Sequence, residues 1–449
     1  MKISDRVVVG VIAFVSRWFV VFWAAKRIPP TADGTYYHVL ATRIAEGHGY
    51  TWLWPDGAVT YAAHYPVGYP ALVSVPYALF GAKPVLAMAL NALLGILAAL
   101  AVHDMLVRST SRALAFAGGV AMALHPALLP YTAAIMTEGV TASLLVIAAG
   151  CADRARIGPR GWSIATGIVL GIATLVRPQC LVLAPFFGFL AVPPGTALRR
   201  RLSFAAGITV LALAVCAPWT ARNCKKMERC ALVSVNGGWN LSIGTQTKDG
   251  GWAPIDVPEN CKEVFQEAAK DTCFGNEAVA TIRAHPGAWL ARVPAKLRVT
   301  FDYLGAAPWY LHTANASAFP YRAKMLLGGI ETFAVRLLLA AAIVAAMRAP
   351  GPLRRARLVL GALGLASCLL VTGFLAYLIG SFVVLLLGDR TLARAPVLVP
   401  LAPVVILATA ATHAVFFGSG RYGLVVVPFV TALAFWRMYA PKPVRSPAP

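Results

Sequence analysis

Asp33, Glu138, Arg177, Arg421 and His64 are the residues of this 449-residue chain whose types could do chemistry together. A carboxylate can accept the proton of a hydroxyl nucleophile. Arginine and histidine are the side chains that hold phosphate oxygens. Acids are scarce, 18 against 40 Lys and Arg, so the place of each one is informative. Asp33 lies in the stretch 31–70, TADGTYYHVLATRIAEGHGYTWLWPDGAVTYAAHYPVGYP, which also holds Glu46 and Asp56. This polar, aromatic segment stands between apolar runs and is longer than a connection requires. We read it as building an active site with Asp33 as the reacting carboxylate.

The frame that must position these groups is apolar. Hydrophobic residues make up 59% of the chain and charged residues 13%, about half the usual share of a soluble domain. The expected fold is an all-α polytopic membrane helix bundle of about 12 spans. The net charge of +22 does not indicate nucleic acid, because the cations fall in short clusters between apolar runs. These are Arg108 and Arg112; Arg154, Arg156 and Arg160; Arg199–Arg201; Arg348–Arg357; Arg390 and Arg394; and Lys442 and Arg445. That is the positive-inside pattern of cytoplasmic loops. The first apolar run, Val7–Trp23, follows Lys2 and Arg6 and lacks a small-residue cleavage site, so it reads as an anchor. Arg17 within it is either functional or snorkels to the interface.

Three regions follow. Residues 1–219 form a membrane domain with the outer loop 31–70. In that loop Thr35–Gly47 reads as a short amphipathic helix with Tyr36, Leu40 and Ile44 on one face, and Pro70–Phe80 as a short interfacial run. HPALLPYTAAIMTE, 125–138, is a second outer loop, and Arg177 with Pro178 an outer turn. Residues 220–323 form an extracytoplasmic insertion with eight acids clustered from Glu228 to Glu277, and with Cys224, Cys230, Cys261 and Cys273. Four cysteines there suggest an oxidising compartment and a small disulfide-linked subdomain. Three connectivities are open, and local pairing, Cys224–Cys230 and Cys261–Cys273, is expected. The tail His285–Tyr303 places Trp289, Val293, Leu297 and Phe301 in one stripe, as in a helix lying on a membrane. Residues 324–449 supply the last spans. A split near Thr372 and Gly373 divides the run 358–388, and 413–423 is the last outer loop, leaving both termini inside.

On this topology Asp33, Glu46, Asp56, Glu138 and Asp302 share the outer membrane edge with Arg177, Arg421, His64, His125 and His413. Opposite charges at one face of a lipid bundle suit a lipid-phosphate substrate. Plainer roles exist for each group. Asp33 could cap a helix, worth about 1 kcal/mol, and Glu138 could favour a helix N-terminus. Arg177 could sit at a helix C-terminus, and Arg421 could snorkel, although GSGRYG around it leaves room for a ligand. His64 reads most simply as a loop histidine, and His125 and His413 as interfacial ones. Tyr36, Tyr37 and Tyr65 fit an aromatic belt or a sugar-stacking surface. No CxxC or His/Cys zinc spacing appears, so no metal site is expected.

Six motifs stand in order: DGTYY (33–37), HYPVGYP (64–70), PYTAAIMTE (130–138), GIATLVRP (171–178), GGWNLSIG (237–244) and GSGRYGLVVVP (418–428). Together they resemble the C-type membrane glycosyltransferases (GT-C fold), within them the protein-mannosyltransferase and aminoarabinose-transferase-like superfamily, over nearly the whole chain. The resemblance implies a polyprenyl-phosphate-sugar donor and transfer on the outer membrane face, and it matches the family's first-loop aspartate to Asp33. Many members carry a second acid directly after it. Gly34 stands there in this chain, so the role of a second acid is either missing or supplied from elsewhere, with Glu138 a candidate. Aminoarabinose-type members have Glu-Lys-Pro-Pro where this chain has His64-Tyr65-Pro66-Val67, so their phosphate-binding lysine is absent and His64 is its candidate substitute.

The expected activity is hexosyl or pentosyl transfer to a hydroxyl of a protein, lipid or glycan acceptor. Asp33 is the general base, and Arg177, Arg421 and His64 hold the donor phosphate. The leaving group is a good one, so no metal or other cofactor is required, and a divalent ion is compatible with the chemistry. The expected location is a bacterial inner membrane, with the site periplasmic. The alternative is a lipid or sugar transporter or flippase without transfer chemistry. That class is expected to show internal repeats and midplane charges, whereas this chain shows no repeat, few charges inside its spans and a charge cluster on one face.

Overall fold

A computed structural model describes residues 4–159, 161–370 and 372–438. Lys2, Arg160, Lys442 and Arg445, invoked above for charge asymmetry, lie outside the described residues. Long apolar helices dominate, because a chain poor in charge satisfies its backbone in lipid only within helices. The order begins with α1 (Asp5–Ala24), α2 (Asp33–Ala45), the antiparallel hairpin β1 (Thr51–Leu53) and β2 (Val59–Tyr61), and α3 (Gly68–Phe80). Next come α4 (Pro84–Val107), α5 (Arg112–Ala123), α6 (Thr137–Ala155), α7 (Gly161–Val176), α8 (Ala184–Leu190) and α9 (Leu198–Lys226). The insertion supplies α10 (Gly237–Gln246), α11 (Glu259–Lys262), α12 (Glu267–Ala284), α13 (Pro286–Ala291), α14 (Val293–Phe301) and α15 (Ala306–Ala314). The chain closes with α16 (Tyr321–Arg348), α17 (Arg354–Leu369), α18 (Gly373–Leu385), α19 (Asp389–Arg394), α20 (Leu398–Val415), α21 (Gly420–Gly423) and α22 (Val427–Phe435).

The helices α1, α4, α9, α16 and α20 are long and apolar enough to cross a membrane, and the shorter apolar helices α5, α7 and α18 stand beside them. The chain is an integral membrane protein. In α1 the stripe Val9, Ala13, Arg17, Val21 and Ala24 is buried, while Phe14, Phe19 and Phe22 are exposed, the division expected of a helix between protein and lipid. At one end of the bundle, ion pairs of Asp5 with Arg112, Asp104 with Arg6 and Arg154, and Asp153 with Arg108 tie α1, α4, α5 and α6 together. Asp33 follows the opposite end of α1, one helix length or ~30 Å away. The N-terminus of α6 and the C-termini of α7 and α20 reach the same end as Asp33.

Several expectations are revised. The 3₁₀ turn Pro130–Ala133 and the segment after it are buried rather than an open loop, and α6 begins at Thr137, which places Glu138 inside the helix. Helix α2 begins at Asp33, and its buried side runs through Gly34, Tyr37, Leu40 and Ala41, with Tyr36 exposed. Helix α9 runs on to Lys226, past the expected start of the insertion. The membrane-lying helix 285–303 is instead two helices, α13 and α14. Helix α14 packs on α18, α20 and α21, and its Lys296 is fully buried, with Nζ 3.2 Å from the carbonyl oxygens of Ala414 and Val415. A lysine on the shoulder of an apolar stripe suits unpaired helix-end carbonyls as well as it suits water. The run 358–388 is divided into α17 and α18, with Val371 outside the described residues. Arg17 does not snorkel: it is buried and donates to Thr132 Oγ1 at 2.8 Å. His125 and His413 are likewise buried rather than interfacial.

Candidate active site

Asp33 enters α2 through a tight turn. Ala32 before it has φ 52°, an uncommon conformation for a residue with a side chain. The turn is held by Gly34 N–H donating to Thr31 O at 3.0 Å and Thr31 N–H donating to the Tyr310 hydroxyl at 3.2 Å. The hydrogen bond of the Asp33 carboxylate runs across the site rather than to a helix cap: Arg421 Nη1 donates to Oδ2 at 2.6 Å. Gly34 packs against the buried turn, where a Cβ would meet Ile135 O at 2.8 Å and the Tyr310 hydroxyl at 2.9 Å. No second acid fits there without displacing backbone.

Glu138 stands behind Arg421. Its Oε1 accepts from Arg177 Nη1 at 2.8 Å and lies 3.4 Å from Arg421 Nε, and its Oε2 accepts from the Tyr131 hydroxyl at 2.8 Å. Tyr422 lies against both guanidinium groups, 4.8 Å from Arg177 and 5.1 Å from Arg421. Its hydroxyl accepts from Arg421 Nη2 at 3.2 Å, and His413 stacks on its ring at 4.2 Å. Asp33, Arg421, Glu138 and Arg177 thus form one alternating chain of charge. Burial opposes the charge on Arg421, but Tyr422, Asp33, Glu138 and Tyr131 more than offset it and hold its pKa above the ordinary value. At Arg177 burial is likewise overcome by Glu138, Tyr422 and Tyr37.

The glycines around Arg421 allow close packing, and Gly420 also lines the cavity beside Arg421. A Cβ on Gly418 would strike the carbonyl of Lys296, one on Gly420 the carbonyls of Leu304 and Tyr303, and one on Gly423 the Leu304 side chain and the Thr300 carbonyl. Only glycine lets α21 lie this close to α14 and the residues after it. The seat of Arg421 is therefore made by the insertion.

Asp33 and Arg421 line a cavity of about 1180 Å³, with Tyr36, His64 and Tyr65 from the first loop and Trp239 from the insertion. That is larger than the roughly 300–1,000 Å³ of ordinary small-molecule sites. Tyr36 and Tyr65 stack with ring centres 5.0 Å apart. Tyr37 is buried between Tyr65 and Tyr69, and burial, then Asp33 and Glu138, raise its hydroxyl pKa. It supports the site from behind. His64 lines the cavity, but burial pushes its imidazole pKa down against the pull of Glu267, Asp271 and Asp33. That shift disfavours the charged form of the ring. Arg177 stands behind Arg421, away from the cavity lining. Among the described residues no group of three or more His, Cys, Asp or Glu side chains gathers as a metal site would.

Several residues of the site have no mark in the sequence reading. Tyr422 and Tyr131 lie inside quoted motifs, where an aromatic residue beside Arg421 or Glu138 was the available signal. Glu267 had none. Its Oε1 accepts from Trp52 Nε1 at 2.6 Å, and its Oε2 accepts from Ala63 N–H at 2.6 Å and His64 N–H at 2.9 Å. One turn on, Asp271 accepts from Trp239 N–H at 3.0 Å and pairs with Arg229. Cys224 is bonded to Cys230, and Cys261 to Cys273, which joins α11 to α12.

The chain is similar to known proteins in two ways. In fold it is similar to the oligosaccharyltransferase AglB from Archaeoglobus fulgidus, in complex with an inhibitory peptide and a dolichol-phosphate, at 16% identity and TM-score 0.42, covering 96% of this chain and 50% of that one. A second structure of the A. fulgidus enzyme, tethered to an acceptor peptide, gives 16% identity and TM-score 0.46, with 96% and 49% covered. The chain thus spans about half the length of these archaeal enzymes. ArnT from Cupriavidus metallidurans bound to undecaprenyl phosphate matches at 16% identity and TM-score 0.42, with 96% and 76% covered. Among curated proteins none matches the chain. In sequence, residues 64–221 match the family model of dolichyl-phosphate-mannose-protein mannosyltransferase. Over that part of the chain the sequence carries the pattern of this family, in agreement with the resemblance read from its motifs.

Proposed function

We propose that the chain is a membrane glycosyltransferase that moves a hexosyl or pentosyl group from a polyprenyl-phosphate donor to a hydroxyl acceptor. One observation carries the reading: a partly exposed carboxylate, Asp33, and a guanidinium, Arg421, lie 2.6 Å apart in the lining of one large cavity beside aromatic rings. A base and a phosphate cation are the two groups the transfer needs at one place. The acceptor oxygen bonds to the anomeric carbon while the bond from that carbon to the phosphate oxygen breaks. The electron pair leaves on the phosphate, and the hydroxyl proton goes to Asp33. A single displacement inverts the anomeric centre. Arg421, oriented by Glu138 and Tyr422, meets the charge that grows on the leaving phosphate, and Arg177 adds its field from behind. The acceptor is a protein, lipid or glycan hydroxyl. The reading places the site on the outer face of a bacterial inner membrane, with about 12 spans and both termini cytoplasmic.

Mass spectrometry of lipids that co-purify with the protein tests the donor class, followed by transfer from that lipid to an added acceptor pool. A polyprenyl-phosphate sugar retained and consumed is the expected result. A retained lipid with no phosphate-linked sugar, or one that is never consumed, overturns the proposal.

A further inference from the structure

The reading of this site as a polyprenyl-phosphate-dependent transferase leaves open when Asp33 is free to act. In the structure it is not free. Every nitrogen of the Arg421 guanidinium is engaged: Nη1 with Asp33, Nε facing Glu138, and Nη2 with the Tyr422 hydroxyl. Each Nη nitrogen keeps a second N–H, so a phosphate that takes Arg421 in a two-point fork competes with one of these partners. Glu138 is 2% exposed, and its two oxygens are also held by Arg177 and Tyr131. Tyr422 is packed beneath both arginines and His413. Asp33 is the yielding partner. It is 31% exposed, sits in the first turn of a short helix, and is held to the guanidinium at one oxygen.

We propose that Arg421 is a latch on Asp33 that the donor phosphate opens, so that the base is released only when a phosphate occupies the site. Guanidinium accepts carboxylate and phosphate with similar geometry, so the exchange replaces one charge-assisted bond with another. The resting cluster of Asp33, Glu138, Arg177 and Arg421 is neutral. A bound phosphate adds negative charge, and the carboxylate that has lost its cation becomes the group that takes a proton. Donor must then bind before an acceptor hydroxyl can be activated.

The test is binding of undecaprenyl phosphate, without sugar, to protein in nanodiscs. Asp33→Asn removes the competitor and is expected to tighten binding by roughly tenfold, the size of one charge-assisted hydrogen bond. That gain is expected to vanish in an Arg421→Ala background, because the competition is for Arg421. Equal or weaker binding by Asp33→Asn overturns the latch. So does a gain that persists without Arg421, which would reflect loss of a nearby negative charge alone. No binding by the wild type overturns the donor reading itself. Infrared difference spectra give a second reading: lipid phosphate is expected to shift a carboxylate band that Asp33→Asn lacks, and an unshifted band with lipid bound overturns the latch.

Discussion

Glu138 and Arg177 lie 2.8 Å apart with side chains 2% and 12% exposed, the most enclosed ion pair among the described residues. Removing one member of such a pair leaves an uncompensated buried charge, at about 3–5 kcal/mol. Glu138→Gln is therefore expected to lower thermal stability in detergent by that order. Arg421 also loses its rear partner, and a misplacement of about 1 Å at a reacting centre costs roughly a hundredfold in rate. Unchanged stability together with unchanged transfer would remove Glu138 from the site.

Asp33→Asn keeps the shape of the side chain and loses the base of the proposed transfer. Loss of a positioned general base costs about 10²–10⁴ in rate, and the α2 turn, held by backbone bonds and Tyr310, is expected to fold as before. Transfer assays beside size-exclusion profiles check both halves. Full transfer activity in the variant would end the assignment of Asp33.

His64 gives a pH prediction. Burial places its folded-state pKa below the ordinary 6.5, so the unfolded chain binds the proton more readily. Stability is then present above 6.5 and lost as pH falls below it. The melting temperature of the wild type is expected to fall relative to His64→Gln between pH 6.5 and 5. Lipid-phosphate binding of the two proteins is expected to run parallel from pH 8 to 6.5. A wild-type-specific rise in binding as pH falls through 6.5 would instead put a charged His64 on the phosphate.

Gly420 offers a test of how Arg421 is seated. A Cβ there meets backbone carbonyls that cannot rotate away, and overpacking of this kind costs about 1–3 kcal/mol. Gly420→Ala is expected to lower both stability and transfer. Gly207→Ala, with open space at its Cβ, is expected to change neither. Equal behaviour of the two variants in thermal and transfer assays would contradict the packing role.

Much of the site was legible because the chain is poor in acids. In an apolar sequence, a carboxylate or arginine at the edge of a run marks itself, and Asp33, Glu138, Arg177 and Arg421 meet as that logic expects. What was not legible depends on contacts distant in sequence. Periodicity shows which face of 285–303 is apolar, but not whether lipid or protein covers it, so the segment read as membrane-lying although its Lys296 closes the end of α20. Glu267 looked like one solvated acid among eight, since its partners Trp52, Ala63 and His64 stand some 200 residues earlier. The glycines of GSGRYG announced close approach without saying whether a ligand or a neighbouring backbone approaches.

The seat of Arg421 against α14 and the Leu304 carbonyl joins two parts that composition had set apart. The insertion read as a disulfide-linked subdomain separate from the membrane frame. Because the insertion carries the bed on which Arg421 rests, the two cannot be exchanged independently between homologous chains. A graft that brings a new acceptor wall also brings a new mounting for Arg421, so selectivity and rate in this architecture are inherited together.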